Sequence, residues 1–321
     1  MKFKTFFFVA LIWLACPLES AFALDGPDFT RREDVVYGRK FGVALTLDVI
    51  TPKEKPNGLG IISIMSGGWV SSHDWIGPQT AGFAPYLDRG YTIFAVVHGC
   101  QPKFTIPEIL KDMHRAVRFI RFNAREYHID PDHIGITGGS AGGHLSLMQG
   151  TAGDDGDPNA KDEVERVSSR VQAVACFFPP TDFLNYGKPG EIAIGRNILS
   201  AFAAPFDFHE FDSKLHKYMP VADEKKYMDI GRDISPVNHV SGKAPPTLIM
   251  HGNKDKLVPI QQSELMIEKL KAAGVEAKLI VKPDAEHGWK DMTKDAVQFA
   301  DWFDAHLKKK EAPKDVPAET K

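Results

Sequence analysis

The chain has 321 residues, of which 43% are hydrophobic and 25% are charged, an ordinary composition for a globular protein with a sizeable core. Its formal net charge is −3 and its Lys and Arg residues are scattered, which argues against a nucleic-acid-binding protein. The three cysteines are too few for a disulfide scaffold, and no Cys/His spacing has the form of a zinc site.

The first 23 residues have the three parts of a secretory signal peptide. Met1-Lys2-Phe3-Lys4 is a basic start, the run from residue 5 to residue 16 is apolar, and Ala21-Phe22-Ala23 is a cleavage-site pattern. The apolar run is shorter than the ~20 residues that cross a bilayer, which disfavours the alternative of an uncleaved anchor. We therefore expect a mature protein without stable membrane insertion, secreted or periplasmic.

From residue 24 to residue 310 the pattern alternates strands with helices. A hairpin is predicted around Phe41-Gly42, and apolar runs that indicate buried strands follow at 59–65, 91–97, 134–137, 171–178, 246–251 and 277–281. Helical patterns lie at 82–88, 107–120, 261–273 and 296–307, with a further helix after Ser140. This alternation predicts an α/β fold with a mostly parallel sheet covered by helices on both faces.

Two segments do not follow the alternation. Residues 180–240 have no sustained period but are rich in aromatic residues, which predicts a cap insertion. Whether it is a lid over a substrate site or a subdomain that only packs stays open. Residues 311–321 are almost entirely Pro, Ala and charge, which predicts a disordered tail.

Chemistry-bearing residues follow the strands at their carboxyl ends, where reactive groups gather in a parallel sheet. Gly138-x-Ser140-x-Gly142 is the nucleophile-elbow pattern, in which glycines relieve crowding around a strained serine. Asp255 and His287 lie after two later strands, so the chain order is serine, acid, histidine. We prefer Asp255 as the acid because Asp284 and Glu286 are too close in sequence to His287.

The motifs resemble those of the α/β-hydrolase superfamily over nearly all the mature length. Ser66-Gly67-Gly68-Trp69 resembles the oxyanion loop of esterases and lipases, although many members carry histidine where this chain has Ser66. The elbow is similar to that of hormone-sensitive-lipase-like and bacterial feruloyl or acetylxylan esterases. The stretch from His251 to Pro259 resembles an acid loop that those esterases share with dienelactone hydrolases and prolyl oligopeptidases.

The resemblance implies a Ser140–His287–Asp255 triad that forms an acyl-enzyme. It also implies an oxyanion hole made of backbone N–H groups of Ala141 and of Gly67 or Gly68. Three side chains are candidates for the substrate pocket, each with the alternative of a purely structural role: Trp69, Trp289 and His98.

No metal or cofactor is predicted. Asp155-x-Asp157-x-Asn159 is similar to the start of a calcium loop, but Ala160 and Arg166 replace the required glycine and glutamate, so an exposed acidic loop is expected. Cys100 and Cys176 could pair or remain free thiols.

The residues favour a secreted hydrolase of small acyl esters, such as acetyl or feruloyl groups on carbohydrate. A serine exopeptidase of prolyl-oligopeptidase type is one alternative, and a binding protein on an inactive hydrolase scaffold is another. The acyl and alcohol parts of the substrate and the oligomeric state do not follow from the sequence.

Overall fold

The computed structural model describes residues 28–309, so the predicted signal peptide (1–23) and tail (311–321) lie outside the described residues. Within that range, eight strands form one sheet and two more form a separate hairpin. The strands are β1 (Phe29–Lys40), β2 (Val43–Pro52), β3 (Gly60–Ile64), β4 (Thr92–Val96), β5 (Ile134–Gly139), β6 (Ala173–Phe177), β7 (His209–Asp212), β8 (Lys217–Pro220), β9 (Thr247–Gly252) and β10 (Ala277–Lys282).

The large sheet has the order β1-β2-β4-β3-β5-β6-β9-β10. The β1–β2 hairpin is antiparallel, and β2 pairs with β4 in antiparallel fashion. The other strands of this sheet, β4-β3-β5-β6-β9-β10 in spatial order, all pair in parallel. Because the strands from β4 onward are parallel, their carboxyl ends meet at one edge, where the loops after β3, β5, β9 and β10 come together. The predicted mostly parallel α/β sheet is confirmed.

Seven helices surround this sheet within the described residues. They are α1 (Ile76–Gln79), α2 (Ala84–Leu87), α3 (Ile106–Phe122), α4 (Ala141–Ala152), α5 (Glu224–Asp233), α6 (Gln261–Ala272) and α7 (Met292–Leu307). The longest, α3, begins at a capping box in which the Glu108 carboxylate accepts from the Thr105 N–H (2.8 Å) and Pro107 lies in the first turn.

Alternate residues of the central strands pack into two different cores. In β4, Phe94 and Val96 join a core with residues of α3 and α4, whereas Ile93 and Ala95 join a second core with residues of α7. Burial on both faces explains why the central strands are continuous apolar runs. No helix of residues 28–309 is both long enough and apolar enough to cross a membrane.

The segment between β6 and β9 departs from the strand–helix alternation. It contains short 3-10 turns, the antiparallel β7–β8 hairpin and α5, and its aromatic rings divide into two groups. Phe183 and Phe206 are buried, whereas Phe211 and Tyr218 on the hairpin are exposed. The role of this segment as a cap remains a prediction.

An ion-paired cluster fastens the chain that follows the β3 loop to the edge of the sheet. Asp48 of β2 is fully buried, pairs with the Arg31 guanidinium at 2.5 Å and contacts His73 Nε2 at 3.1 Å. The segment from His73 onward is therefore held against the β1–β2 hairpin.

Both cysteines within the described range are free. Cys176 is buried in β6, where burial raises the pKa of its thiol, and Cys100 Sγ donates to the Gln101 carbonyl oxygen. The alternative of a disulfide between them is not realised in this structure.

Candidate active site

Ser140 lies at the sharp turn between β5 and α4. Its backbone has φ 53° and ψ −118°, a conformation that costs a residue with a side chain about 1–3 kcal/mol. The turn closes tightly, because a Cβ atom on Gly138 would lie 2.6 Å from the backbone of Gly142. Glycine at position 138 thus permits the close approach that the elbow requires.

The structure brings Ser140, His287 and Asp255 together from three separate loops. Ser140 Oγ lies 2.9 Å from His287 Nε2, and His287 Nδ1 lies 2.7 Å from Asp255 Oδ2. An ionised carboxylate can only accept, so Nδ1 carries the imidazole proton and Nε2 accepts from the serine hydroxyl. This arrangement can take a proton from Ser140 as its oxygen attacks a carbon.

The Asp255 carboxylate is held by hydrogen bonds on both oxygens. Oδ1 accepts from the backbone N–H groups of Leu257 and Val258, each at 2.9 Å, and His251 Nε2 lies 3.2 Å from Oδ2. Burial raises the pKa of Asp255, but the hydrogen bonds from His251 and His287 outweigh it and hold the pKa well below its usual range. The carboxylate is therefore ionised throughout the neutral range.

Asp284 and Glu286, the two acids that the sequence analysis disfavoured, are both exposed. The Asp284 carboxylate pairs with Lys254 Nζ at 2.6 Å on the surface, and Glu286 is an exposed residue of the loop that precedes His287. Neither is hydrogen-bonded to the imidazole within the described residues.

Phe178 lies against the His287 ring, with the two ring centroids 4.4 Å apart. Trp289 packs on the far side of this pair, 5.8 Å from the Phe178 centroid, and its indole N–H donates to Asp295 Oδ2 at 2.5 Å. Trp289 is half-buried, and its predicted contact with substrate remains untested.

The loop after β3 offers one free backbone donor of the two that the resemblance implied. The Gly67 N–H already donates to the Val70 carbonyl oxygen at 3.0 Å, so it is not available as the predicted donor to an oxyanion. Within residues 28–309, the N–H groups of Gly68 and Ala141 donate to no protein acceptor. Gly68 has φ +55°, and a Cβ atom there would lie 2.8 Å from the Phe202 ring.

Trp69 is buried beneath the loop after β3, which favours the alternative of a structural role over the predicted contact with substrate. Its side chain is 2% exposed and packs edge-on against Phe206, with centroids 5.2 Å apart. Its indole N–H donates to His144 Nδ1 at 3.2 Å, and His144 Nε2 donates to the Ile234 carbonyl oxygen at 2.7 Å. Trp69 therefore anchors the loop to α4 and to the segment after α5.

His98 is also buried, and its contacts favour the structural role that the sequence left open. Its Nδ1–H donates to the Gly99 carbonyl oxygen (2.7 Å), so Nε2 accepts from the Ser66 hydroxyl (2.8 Å). Burial lowers the pKa of His98 to about 4, against the opposing effect of its bond to Gly99. The imidazole is neutral at neutral pH and fixes the start of the loop that contains Gly68.

Three residues contact Trp69, Asp255 or His287 but were not predicted as site residues: His144, His251 and Phe178. His251 lies in the predicted acid loop, and its partners Asp255 and Ser263 follow within twelve residues. The partners of His144 and Phe178 come from distant parts of the chain, so the sequence carried no signal for them.

Three described residues could offer ligand atoms to a metal ion within 4.8 Å of one another: Asp34, Asp48 and His73. The Asp48 carboxylate is already paired with Arg31, which supplies the positive charge that a metal would. We assign no metal to this cluster.

The sheet order and the strand-turn-helix that positions Ser140 define an α/β-hydrolase. The chain belongs to the BD-FAE family of α/β-hydrolase esterases, which it matches over residues 47–270. Residues 231–314, which include Asp255 and His287, also match the dienelactone hydrolase family.

Individual relatives are similar at moderate identity. The probable carboxylic ester hydrolase LipM of Mycobacterium tuberculosis is 30% identical over 247 residues, which are 76% of this chain and 52% of the relative. The acetylxylan esterase of Xylanibacter ruminicola is 25% identical over 264 residues, 79% of this chain and 44% of the relative. The chain spans about half the length of the curated relatives it matches.

Among solved structures, a truncated carbohydrate esterase from gut microbiota superposes with a TM-score of 0.69 at 26% identity. The match covers 87% of this chain and 97% of that chain.

Proposed function

We propose that this protein is a secreted serine esterase that removes small acyl groups, such as acetyl or feruloyl groups, from carbohydrate. The observation that carries the proposal is the continuous hydrogen-bonded series from Ser140 Oγ through His287 to Asp255. The LipM and acetylxylan esterase relatives support ester hydrolysis as the reaction class, and the carbohydrate esterase structure supports a sugar ester as substrate.

The reaction begins when Ser140 Oγ attacks the ester carbonyl carbon and its proton passes to His287 Nε2. Asp255 stabilises the resulting imidazolium and keeps its ring in place. The tetrahedral intermediate collapses as His287 gives the proton to the departing alcohol. A water molecule then attacks the acyl-enzyme with His287 as base and releases the acid.

The Gly68 and Ala141 N–H groups are the proposed donors to the oxyanion. Both are free of protein acceptors within the described range, so each can donate without first breaking a bond. One such donor is typically worth about 3 kcal/mol in the barrier. The reaction needs only the side chains and backbone groups named here and water.

The first test is Ser140→Ala with p-nitrophenyl acetate as substrate. We expect turnover to fall to the background rate while the circular dichroism spectrum and Tm stay close to those of the native protein. The matched control is Ser213→Ala, on the exposed turn of the β7–β8 hairpin, which should retain full activity. Comparable turnover by Ser140→Ala and the native enzyme would sink the assignment.

Three further measurements separate this proposal from its alternatives. A fluorophosphonate should label the native protein and not Ser140→Ala, which distinguishes an enzyme from a binding protein. Preference for p-nitrophenyl acetate over an aminoacyl anilide distinguishes an esterase from an exopeptidase. Sequencing of exported protein should find Leu24 at the new N-terminus, in accordance with the signal-peptide pattern.

A further inference from the structure

A groove of about 1240 Å³ lies between the turn of the β1–β2 hairpin and the β7–β8 hairpin. Its floor is formed by the beginning of α3, including Glu108 and Lys111. None of the described residues that line it belongs to the proposed triad or to the proposed oxyanion donors. The groove is thus a second concave surface with no role in the chemistry proposed above.

One wall of the groove carries a phenylalanine in an unfavourable place. Phe41 and Gly42 form the two-residue turn between the paired residues Lys40 and Val43, and both have positive φ, 46° and 76°. Such turns favour Asn-Gly, because a bulky residue is strained at positive φ. The Phe41 side chain is nevertheless 66% exposed, so burial does not compensate the strain. A strained and exposed ring points to a role outside folding.

The opposite wall carries a second exposed ring. Tyr218 of β8 is 60% exposed and lies directly across the hairpin from Phe211. The two ring centroids are 5.4 Å apart in an edge-to-face arrangement, so Phe211 holds the Tyr218 ring in position. An exposed aromatic ring therefore stands on each side of the groove.

The polar lining carries no net charge, since five basic and five acidic side chains contribute to it. Several are already paired within the protein, including Lys40 with Asp112 and Arg115 with Asp162, both at 2.6 Å. This balance disfavours a polyanion or another strongly charged ligand. It suits an uncharged ligand with many hydroxyl groups, because paired charged side chains still offer donors and acceptors.

We infer that this groove binds an uncharged glycan chain, with sugar rings stacked on Phe41 and Tyr218. A pyranose ring presents an apolar C–H face to an aromatic ring and directs its hydroxyl groups sideways to polar partners. The inference rests on the proposed function in one respect, since it takes the ligand to be the polysaccharide that carries the ester.

The groove is connected to the proposed oxyanion loop by direct contacts. The Gln101 N–H, next to the lining residue Pro102, donates to the Trp69 carbonyl oxygen at 3.3 Å. On the other wall, the lining residue Phe208 contacts Phe206, which packs on the Trp69 ring. A glycan in the groove would therefore lie against neighbours of the residues that contact Trp69, which is next to Gly68 in the chain.

The test measures binding of xylohexaose, a neutral unsubstituted glycan, by calorimetry. We expect the native protein to bind it and both Tyr218→Ala and Phe41→Asn to bind about tenfold more weakly, as for the loss of one aromatic contact residue. The matched control is Phe122→Ala at the end of α3, a ring that is 45% exposed but does not line the groove, and it should bind like the native protein.

Phe41→Asn makes the test independent of folding. Because Asn-Gly is the favoured sequence for this turn, the variant should have a Tm equal to or above that of the native protein while it loses affinity. Absence of xylohexaose binding by the native protein overturns the inference. So does equal binding by all three variants, or tighter binding of the polyanion polygalacturonate than of xylohexaose.

Activity measurements separate the groove from the active site. All three variants should hydrolyse p-nitrophenyl acetate at the native rate, whereas KM for acetylated xylan should rise about tenfold in Phe41→Asn and Tyr218→Ala. If the native protein fails to hydrolyse p-nitrophenyl acetate, the proposed function fails and the xylohexaose measurement still decides the groove.

Discussion

The Asp255 carboxylate has more hydrogen-bond partners than orientation of one imidazole requires. Two backbone N–H groups and His251 hold it in addition to His287. His251 is itself fixed, because its Nδ1 accepts from the Ser263 hydroxyl at 2.6 Å. The position of the Asp255 carboxylate is therefore set by the loop after β9 and by α6, independently of its hydrogen bond to His287.

We predict that Asp255→Asn lowers kcat for p-nitrophenyl acetate by about 10³–10⁴-fold, because an amide no longer enforces the His287 tautomer that accepts from Ser140. Steady-state kinetics at pH 7.5 measures the change. The control is Asp284→Asn, which removes a surface carboxylate paired with Lys254 and should leave kcat unchanged. An equal loss in both variants would contradict the assignment of Asp255 as the acid.

The Asp255 carboxylate should also make the free energy of unfolding depend on pH in the acid range. Its folded pKa lies below the value of about 3.9 expected in the unfolded chain, so its charge stabilises the fold above that pH. This contribution is lost as the pH falls through about 4 towards the folded pKa. Urea unfolding between pH 2.5 and 5 should therefore have a shallower pH dependence in Asp255→Asn than in the native protein.

The hydrogen-bonded group of Ser140, His287 and Asp255 could be predicted from the sequence because each residue follows a strand end and their chain order is informative. The direction of the Trp69 side chain could not be predicted in the same way. The place of Trp69 beside Gly68 was evident, but the positive φ of 59° that turns its ring inward was not. Side-chain direction in a loop depends on such local dihedral angles, which residue type alone does not set.

At the scale of elements, the loop after β3 is fixed by one neutral imidazole at its start and another beneath its tryptophan. His98 accepts from Ser66, and His144 accepts from Trp69. Ser71 closes the loop, since its hydroxyl donates to the Met65 carbonyl oxygen (2.5 Å) and accepts from the His98 N–H (3.2 Å). The Gly68 N–H is held in place by these bonds.

We predict that Trp69→Phe lowers kcat for p-nitrophenyl acetate about tenfold with KM changed less than twofold. The variant keeps an aromatic ring but leaves His144 Nδ1 buried without a donor, which costs about 1–3 kcal/mol in unfolding free energy. A shifted Gly68 weakens a bond that forms only in the transition state, so kcat falls and KM does not.

The matched control for that experiment is Trp302→Phe. Trp302 on α7 is another tryptophan whose indole N–H donates a hydrogen bond, in this case to the Pro246 carbonyl oxygen at 3.5 Å. This variant should lose a little stability and no kcat. A similar fall in kcat for both variants would mean that Trp69 acts through general stability and not through the loop.

The sequence missed the short helix α1 between β3 and β4, and the other strands and helices that it missed lie between β6 and β9. In β7, the run His209-Glu210-Phe211-Asp212 has no buried position, so it lacks the alternation that marks a half-buried strand. Helix α5 buries only Gly231 fully, and its three apolar side chains that pack on the core fall within four residues, too few to show a sustained period in the sequence: Tyr227, Met228 and Ile230. By contrast, α3 buries residues at helical spacing and was predicted almost to its ends.

For the whole molecule, the buried histidines predict a loss of stability in mild acid. Burial lowers the pKa of His98 and of His144 to about 4, against the ordinary value of 6.5. Between those pH values the unfolded chain binds protons that the folded chain does not, so folding becomes less favourable as the pH falls. Each histidine contributes a slope of about 1.1 kcal/mol per pH unit between pH 4.5 and 6.

Chemical unfolding between pH 4.5 and 6 tests this prediction. In His144→Gln the side chain does not titrate but can still donate to the Ile234 carbonyl oxygen. The slope of unfolding free energy against pH should therefore be shallower by about 1.1 kcal/mol per pH unit than in the native protein. An unchanged slope would show that His144 is protonated to the same extent in the folded and unfolded chain.

The segment that departs from the regular alternation leaves the sheet at the end of β6 and returns at β9, and these two strands are neighbours in the sheet. A connection between adjacent strands can change in length or content without altering the register of any other pair. Ser140, Asp255 and His287, on the loops after β5, β9 and β10, would keep their positions through such a change. Exchange of this segment between members of the family should therefore change the preference among esters while it leaves the proposed triad in place, and kinetics on a panel of esters would test this.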